Sequence, residues 1–234
     1  MAFPELNSIM KKVVSFDKFV SFQQIVYSRT IYRLTDTMHD EHPEAIQMQS
    51  KGHPYDMSSN IFSVLPQLFF DTKPNDGKDY IQIFGREGTA RKYKWIRKNY
   101  VNEPENLNKW KVFVPQANGS GAIGEVLTTP VIGQPVIGHA ETFISIGAFD
   151  TREEAEACLK YIKSKFARTM LGVLKITQHN PPDKWKYVPL QDFTENSDID
   201  WSQSVHEIDL QLYRKYGLDE KEIDFIETHV KEME

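Results

Sequence analysis

The chain has little of what marks secreted, membrane-spanning or metal-binding proteins. Cys158 is the one cysteine in 234 residues, so no disulfide can form within the chain, and we expect a reducing, cytoplasmic location. The sequence lacks an apolar run long enough for a membrane helix, and its start, MAFPELNSIMKK, lacks the apolar core of a secretory signal. His39, His42 and His53 match no compact zinc-binding spacing. We therefore predict no metal site and no membrane partner.

Acidic residues outnumber basic residues over the whole chain, but positive charge is concentrated in one window. The formal net charge is −5, an unfavourable balance for a nucleic-acid-binding protein. Between residues 86 and 111, however, eight basic residues are opposed by three acids, which gives +5 in this basic window. A local basic patch can hold phosphate although the whole protein is acidic. Charge alone favours a solvated surface over a binding patch.

Hydrophobic spacing predicts an α+β fold with mixed small sheets. Strands are predicted at residues 79–84, 93–101, 110–115 and 142–147, and a short pairing segment at 186–188. Residues 35–60 are polar and rich in turn formers, so a long loop or an insertion is expected there.

Two helical regions are predicted towards the end of the chain. Thr151 and Glu154 have the spacing of a capping box, and apolar residues then recur every three or four positions up to Leu174, which predicts one long packing helix. From about residue 202 a helix is expected to end at Gly217. A second helix is expected to begin with Asp219 as its N-cap.

The charge of this C-terminal helical hairpin argues against contact with DNA. Residues 192–234 hold thirteen acids and four bases, so we expect a docking or structural role. The predicted division is a domain at 1–190 and the hairpin at 191–234, and the first part can alternatively be divided into lobes at 1–105 and 106–190.

Three motifs resemble catalytic signatures but lack a required part. Gly119–Gly124 matches G-x-G-x-x-G, yet the proline-containing segment that follows is a poor helix. Asn180–Asp183 lacks the aromatic fourth residue that adenine methyltransferases stack on the flipped base. Asp183 and the Asp219–Lys221 segment come nearest to a nuclease centre, but Asp219 is already predicted to be a helix cap. We therefore predict no catalytic residue and no cofactor in this chain.

Long stretches of the sequence nevertheless resemble one family. They read NKWKVFVPQANGSG from residue 108, GHAETFISIGAFDTREEAEACLKYIKSKFARTMLGVLKITQHNPPDKWKYVPLQDF from residue 138, and the tail Ile199–Val230. They resemble the C-terminal target-recognition region of bacterial type II restriction–modification proteins that methylate adenine at N6. The segment Ser21–Leu34, SFQQIVYSRTIYRL, is similar to the family's opening motif, a serine–arginine pair followed by an aromatic residue and a leucine.

The resemblance implies a module that recognises duplex DNA and is not catalytic by itself. Its partner would be an adenine methyltransferase domain or subunit that binds S-adenosylmethionine, so we expect these residues to be a fragment or a separate subunit. Basic side chains would hold phosphate, and amides would contact base edges. The DNA-binding candidates are Arg29, Arg86, Arg91, Lys92, Lys94, Arg97, Lys98, Lys111, Gln116, Asn118, Ser120, Lys175 and Gln178.

Several alternatives stay open at this point. Arg29 could instead fix the edge of the domain through a salt bridge. Relatives more often have lysine at the position of Gln116, which favours a base contact over a phosphate contact there. Glu141 could accept from cytosine N4 or hold a nearby arginine. For the whole chain, the alternatives are a restriction endonuclease with a metal-dependent active site and a protein-docking domain.

Overall fold

Two small sheets and eight α-helices form the part of the chain that the computed structural model describes, residues 3–119 and 122–233. The predicted α+β fold is confirmed. The helices are α1 Pro4–Val14, α2 Asp36–Glu41, α3 Ala45–Met48, α4 Ile61–Val64, α5 Arg152–Lys163, α6 Lys165–Gly172, α7 Val205–Lys215 and α8 Glu220–His229. The strands are β1 Val26–Tyr27, β2 Tyr80–Glu87, β3 Ala90–Arg97, β4 Trp110–Pro115, β5 Val131–Gly133, β6 Ile137–His139 and β7 Phe143–Phe149.

The two sheets differ in how their strands run. The four-stranded sheet has the order β1-β7-β4-β5, and all its neighbours are antiparallel. In the three-stranded sheet, of order β3-β2-β6, β2 and β3 form an antiparallel hairpin and β6 lies parallel to β2. The expected strand pairing near residues 186–188 is reduced to an isolated bridge between Ser21 and Pro189, because a 3-10 turn at Pro182–Trp185 precedes it.

Each sheet contributes to its own hydrophobic core. The large core joins β4 and β7 to α1 and to all of the helices from α5 onwards, with Phe166, Trp185 and Tyr213 among its buried members. The small core joins β2 and β3 to α2, α3 and α4. The prediction of a long loop at residues 35–60 is therefore wrong. The segment contains α2 and α3, and the side chains of Met38, Ala45 and Met57 are buried in the small core.

Two sets of side chains connect the sheets. The ring of Phe84 on β2 stacks on Phe143 of β7, with 4.3 Å between centroids, and on Phe113 of β4 at 5.6 Å. Nearby, Asn106 accepts from the Tyr32 hydroxyl at 2.7 Å and donates to Ser145 Oγ at 3.0 Å. All six residues are buried, so these contacts lie inside the molecule.

The helix predicted after Asp150 is two helices. The chain turns at Ser164, whose extended backbone (ψ 147°) ends α5 and whose side chain caps α6. The backbone N–H groups of Lys165 and Phe166 donate to the Asp209 carboxylate at 2.9 and 2.8 Å. In a continuous helix these two N–H groups would donate to carbonyl oxygens of the preceding turn. At the break they need other acceptors, and the buried Asp209 on α7 supplies them.

The C-terminal helical hairpin is confirmed. Ser204 caps α7 and Asp219 caps α8, each in a complete capping box. The apolar faces of both helices belong to the large core. Lys12 on α1 reaches Glu222 at 2.6 Å and Asp219 at 3.3 Å, which ties the acidic hairpin to the start of the chain. No helix among the described residues is long and apolar enough to span a bilayer.

Candidate nucleic-acid interface

The basic window does not form one surface, because most of it lies on a β-hairpin. Side chains alternate between the two faces of a strand, and cross-strand partners share a face. Arg86 pairs with Arg91 across the β2–β3 hairpin, whereas Lys92 pairs with Gly85 and lies on the opposite face. The expectation of a single basic surface is therefore wrong.

The lysines on that opposite face are neutralised by acids. Lys94 is buried and donates to Glu87 at 2.6 Å, with Asp71 at 3.3 Å. Lys92 binds the other carboxylate oxygen of Glu87. These two lysines lower the pKa of Glu87 to about 2. The predicted phosphate contacts of Lys92 and Lys94 are not supported by this arrangement, since both charges are already paired.

The remaining candidates of the window lie elsewhere. Arg97 contacts Glu41 and the Tyr100 hydroxyl, the latter at 2.7 Å, at the far end of the hairpin. Lys98 forms an ion pair with Glu103 at 3.2 Å. Arg97 and Lys98 therefore lie at the opposite end of the hairpin from Arg86.

Lys111 was expected on the surface and is fully buried. Its side chain follows β4 inwards, and Nζ donates to the backbone oxygens of Leu107 at 3.1 Å and Ile137 at 2.9 Å. Burial lowers the pKa of Lys111 to about 7. The predicted phosphate contact of this residue is not supported by its position, because the amino group is buried and already donates to two backbone oxygens.

What remains is an arginine–tyrosine face, formed by Arg86, Arg91 and Tyr93 on one side of the hairpin. Arg86 is exposed and has no acid partner within the described ranges. Arg91 donates to Thr129 O at 2.7 Å and Thr128 O at 3.1 Å. Burial and the neighbouring Arg86 lower the pKa of Arg91. The Tyr93 ring is 40% exposed and stacks on Phe84 at 4.6 Å between centroids.

Two loops, residues 116–119 and 176–180, lie side by side and are called the paired loops below. Asn118 N donates to Gln178 O at 2.7 Å, and Asn180 N donates to Gln116 O at 2.9 Å. Ala117 and His179 form an isolated antiparallel bridge between them. The backbone of both loops is thus fixed by the same ladder, so segments far apart in sequence act as one unit.

Asn118 holds the paired loops together from inside. Its buried side chain donates to Val126 O at 2.7 Å and accepts from both the backbone and the hydroxyl of Thr128. Because Arg91 also donates to Thr128 O, Asn118 links the paired loops to the arginine–tyrosine face. Its predicted base contact is wrong, since the amide is consumed by the fold.

Lys175 has a similar internal position. It is buried, and its Nζ donates to Asn118 O at 2.8 Å, with Glu125 at 3.9 Å. Its amino group therefore orders the paired loops and is not available to phosphate, which corrects its expected role. Ser120 lies outside the described residues.

Two amide side chains remain candidates for contact with bases. Gln178 is exposed beside the bridge. Gln116 is half-buried, and its Oε1 has no hydrogen-bond partner within the described residues. The backbone N–H of Gln116 donates to Thr142 O at 2.8 Å, so Gln116 lies next to the start of β7.

Arg29 and Glu141 lie next to each other, and Glu141 directly precedes Thr142 in the chain. Arg29 Nε is 4.0 Å from Glu141 Oε2, and the arginine side chain is otherwise exposed. Burial raises the pKa of Glu141. Of the two expectations for Glu141, this position agrees with the one in which it holds an arginine.

The catalytic look-alikes have structural contacts in the described residues. Asn180 donates Nδ2 to Pro115 O at 3.3 Å and begins the 3-10 turn region. Asp183 pairs with Lys184 at 3.1 Å, and Asp219 accepts from the backbone of α8. No group of three histidine, cysteine or acidic side chains that could hold a metal ion occurs in residues 3–119 and 122–233.

Sequence reasoning missed two features of this region. Tyr93 was not among the predicted binding residues, but it forms part of an exposed face. The alternation of Arg91 and Tyr93 along one strand, with Arg86 opposite, is the signal that could have shown it. The exposed Ile176 on the second of the paired loops carries no sequence signal of its own.

Comparison with known proteins gives little further guidance. No protein-family model and no curated protein matches the chain. A solved structure that matches is that of the type IIG restriction endonuclease BpuSI, with 10% identity and a TM-score of 0.39. The match covers 88% of this chain and 28% of BpuSI. At this distance the likeness assigns no residue and no activity.

Proposed function

We propose that the chain is a duplex DNA-recognition module of a restriction–modification protein, without a catalytic group of its own. The single observation that carries the proposal is the Arg86–Arg91 pair, which has no acid partner among the described residues and which Arg91 connects to the paired loops through Thr128. Sequence resemblance to target-recognition regions supports the same function.

The two arginines favour an anionic ligand. Like charges directly opposite each other on neighbouring strands are destabilising, and Arg86 has no compensating acid within the described residues. A phosphate between or beside two guanidinium groups removes that repulsion and accepts charge-assisted hydrogen bonds. On DNA, such contacts set position and contribute the salt-dependent part of affinity.

The paired loops supply the groups that recognise bases. Gln178 and His179 are exposed, whereas Gln116 is half-buried and its Oε1, which has no partner within the described residues, is itself buried. A glutamine amide can both donate to and accept from the polar atoms on base edges. Because the loop backbones are bonded to each other, binding orders little further backbone, and the entropy cost is mainly that of the side chains.

The methyl-transfer chemistry would come from elsewhere. In this proposal an adenine methyltransferase domain or subunit binds S-adenosylmethionine, and the present residues position the DNA for it. The acidic hairpin of α7 and α8 contributes to the large core and to solubility, not to the DNA surface.

The proposal predicts that charge reversal at Arg86 weakens DNA binding. The assay is fluorescence anisotropy of a labelled duplex of mixed sequence, repeated over a range of salt concentrations. Because one phosphate contact is lost, Arg86→Glu should lower the slope of log affinity against log salt by about 1.

The matched control is Lys98→Glu, a charge reversal near the other end of the same hairpin, where Glu103 already pairs with the lysine. It should bind nearly as the wild type does. Absence of any wild-type affinity at low ionic strength, or equal losses in both variants, would contradict the proposed function.

A further inference from the structure

Ile176 is the most exposed large hydrophobic residue of the described chain. Its side chain is 78% exposed, whereas the next, Ile46, is 52% exposed. Isolated exposed apolar residues are common, so exposure alone assigns no role. The surroundings of Ile176 are what distinguish it.

The segment that carries Ile176 is held rigidly on both sides. Before it, Lys175 is buried and bonded to Asn118 O; after it, Gln178 O accepts from Asn118 N. The bridge between Ala117 and His179 closes the segment further. These hydrogen bonds fix the backbone on both sides of Ile176, and in this conformation its side chain is exposed to solvent and does not pack on the core.

The residues next to Ile176 are polar. Thr177, Gln178 and His179 follow it, and all three are exposed. A protein-binding face needs a contiguous apolar patch, which this segment does not provide. One apolar side chain among hydrogen-bonding groups instead matches the way DNA-binding proteins unstack a base step with a wedge.

We propose that Ile176 inserts into the base stack of bound duplex DNA and partly unstacks one step. This inference rests on the proposed function, because it needs DNA on the paired loops. The polar neighbours would remain at the groove edge while the isoleucine side chain leaves water.

The test is the linking number of a closed circular plasmid. The plasmid is relaxed by topoisomerase I while saturated with the protein, and the topoisomers are then separated after protein removal. Wild type should shift the distribution, because an inserted wedge untwists the duplex. Ile176→Ala at saturation should leave the distribution close to that of free plasmid.

Binding measurements separate the wedge from the electrostatic contacts. Loss of the buried side chain should weaken duplex affinity by about 10-fold, with no change in the salt slope. Ile176→Leu should keep both affinity and the topoisomer shift. Ile46→Ala on α3, also an exposed isoleucine, is the matched control and should behave as the wild type does.

The outcomes distinguish the two proposals. Wild-type binding with no topoisomer shift, or an Ile176→Ala variant equal to wild type in both assays, overturns the wedge and leaves the DNA-binding function standing. No wild-type binding at low salt overturns both. Thermal unfolding of each variant should match the wild type, because Ile176 makes little contact with either core.

Discussion

At the scale of single residues, the amino group of Lys111 lies inside the protein against the backbone oxygens of Leu107 and Ile137. Neighbouring His139 is also fully buried, and burial lowers the pKa of its ring to about 3. Both groups make their hydrogen bonds inside the protein, where burial disfavours the charged form. Protonation of either group therefore lowers the stability of the folded state. The interior between the sheets is thus sensitive to pH.

Lys111 should make stability rise with pH. Its pKa is lowered from 10.5 to about 7 by burial, so between these values the unfolded chain binds more protons than the folded one. Stability then increases with pH across that window, at up to about 1.4 kcal/mol per pH unit. Below pH 7 the contribution of this group is constant.

The measurement is urea unfolding from pH 7 to 10 for wild type and Lys111→Met, with the difference in unfolding free energy plotted against pH. Wild type should gain relative to the variant as the pH rises. Lys109→Met, at an exposed position paired with Asp150, should track the wild type. Parallel curves for wild type and Lys111→Met would exclude the proposed pKa shift.

At the scale of elements, the break between α5 and α6 depends on a contact from a distant helix. Asp209 on α7 accepts from the first two backbone N–H groups of α6, one on each carboxylate oxygen. Burial raises the pKa of Asp209 to about 6, while these two N–H groups oppose the rise. The carboxylate therefore orients α6 and joins it to α7.

Asp209→Asn should destabilise the protein by about 2 kcal/mol, because one of the two N–H groups then faces an amide NH2 and loses its acceptor in a buried site. Chemical unfolding at neutral pH measures the change. Asp224→Asn, which makes the same chemical change at an exposed position on α8, should be close to neutral. A loss of similar size in both variants would show that charge, not capping, is responsible.

At the scale of the whole molecule, the stack of Phe84, Phe113 and Phe143 joins the small core to the large one. Aromatic contacts of this size contribute through both buried area and ring geometry. Since the arginine–tyrosine face belongs to one sheet and the paired loops to the other, this stack also fixes the distance between them.

Phe84→Ala should lower stability by about 3 kcal/mol and uncouple the two cores. Denaturation followed by tryptophan fluorescence and by far-UV circular dichroism should then give two non-coincident curves, while the wild type gives one. Phe70→Ala, at a partly exposed phenylalanine next to Trp95, should keep a single transition. Coincident curves for Phe84→Ala would mean that the cores are joined mainly by other contacts.

Local signals in the sequence predicted some of this architecture and not the rest. The cap of α8 lies directly before the helix it begins, so Asp219 could be recognised, whereas the start of α7 was predicted only approximately, at residue 202, and its cap is Ser204. The acceptor for α6 is Asp209, which is distant in sequence from Ser164, and no periodicity shows it. Similarly, the sum of charges in the basic window ignores strand alternation, which separates Arg91 from Lys92.

The candidate surface was predicted in part for the same reason. Gln116 and Gln178 were named separately as DNA-binding candidates, and the structure brings their backbones together through Asn118 and Asn180. Lys175 and Asn118 were named for their polarity, but burial of their side chains depends on contacts between loops that a sequence does not display. Their functional assignment therefore required the fold.

The backbone bond from Asn180 to Gln116 has a consequence for synthesis on the ribosome. The first of the paired loops leaves the exit tunnel long before its partner strand exists, so the nascent chain exposes an unfinished edge during that interval. The surface formed by the paired loops is therefore complete only after residues 176–180 have been synthesised and have formed their hydrogen bonds to residues 116–118.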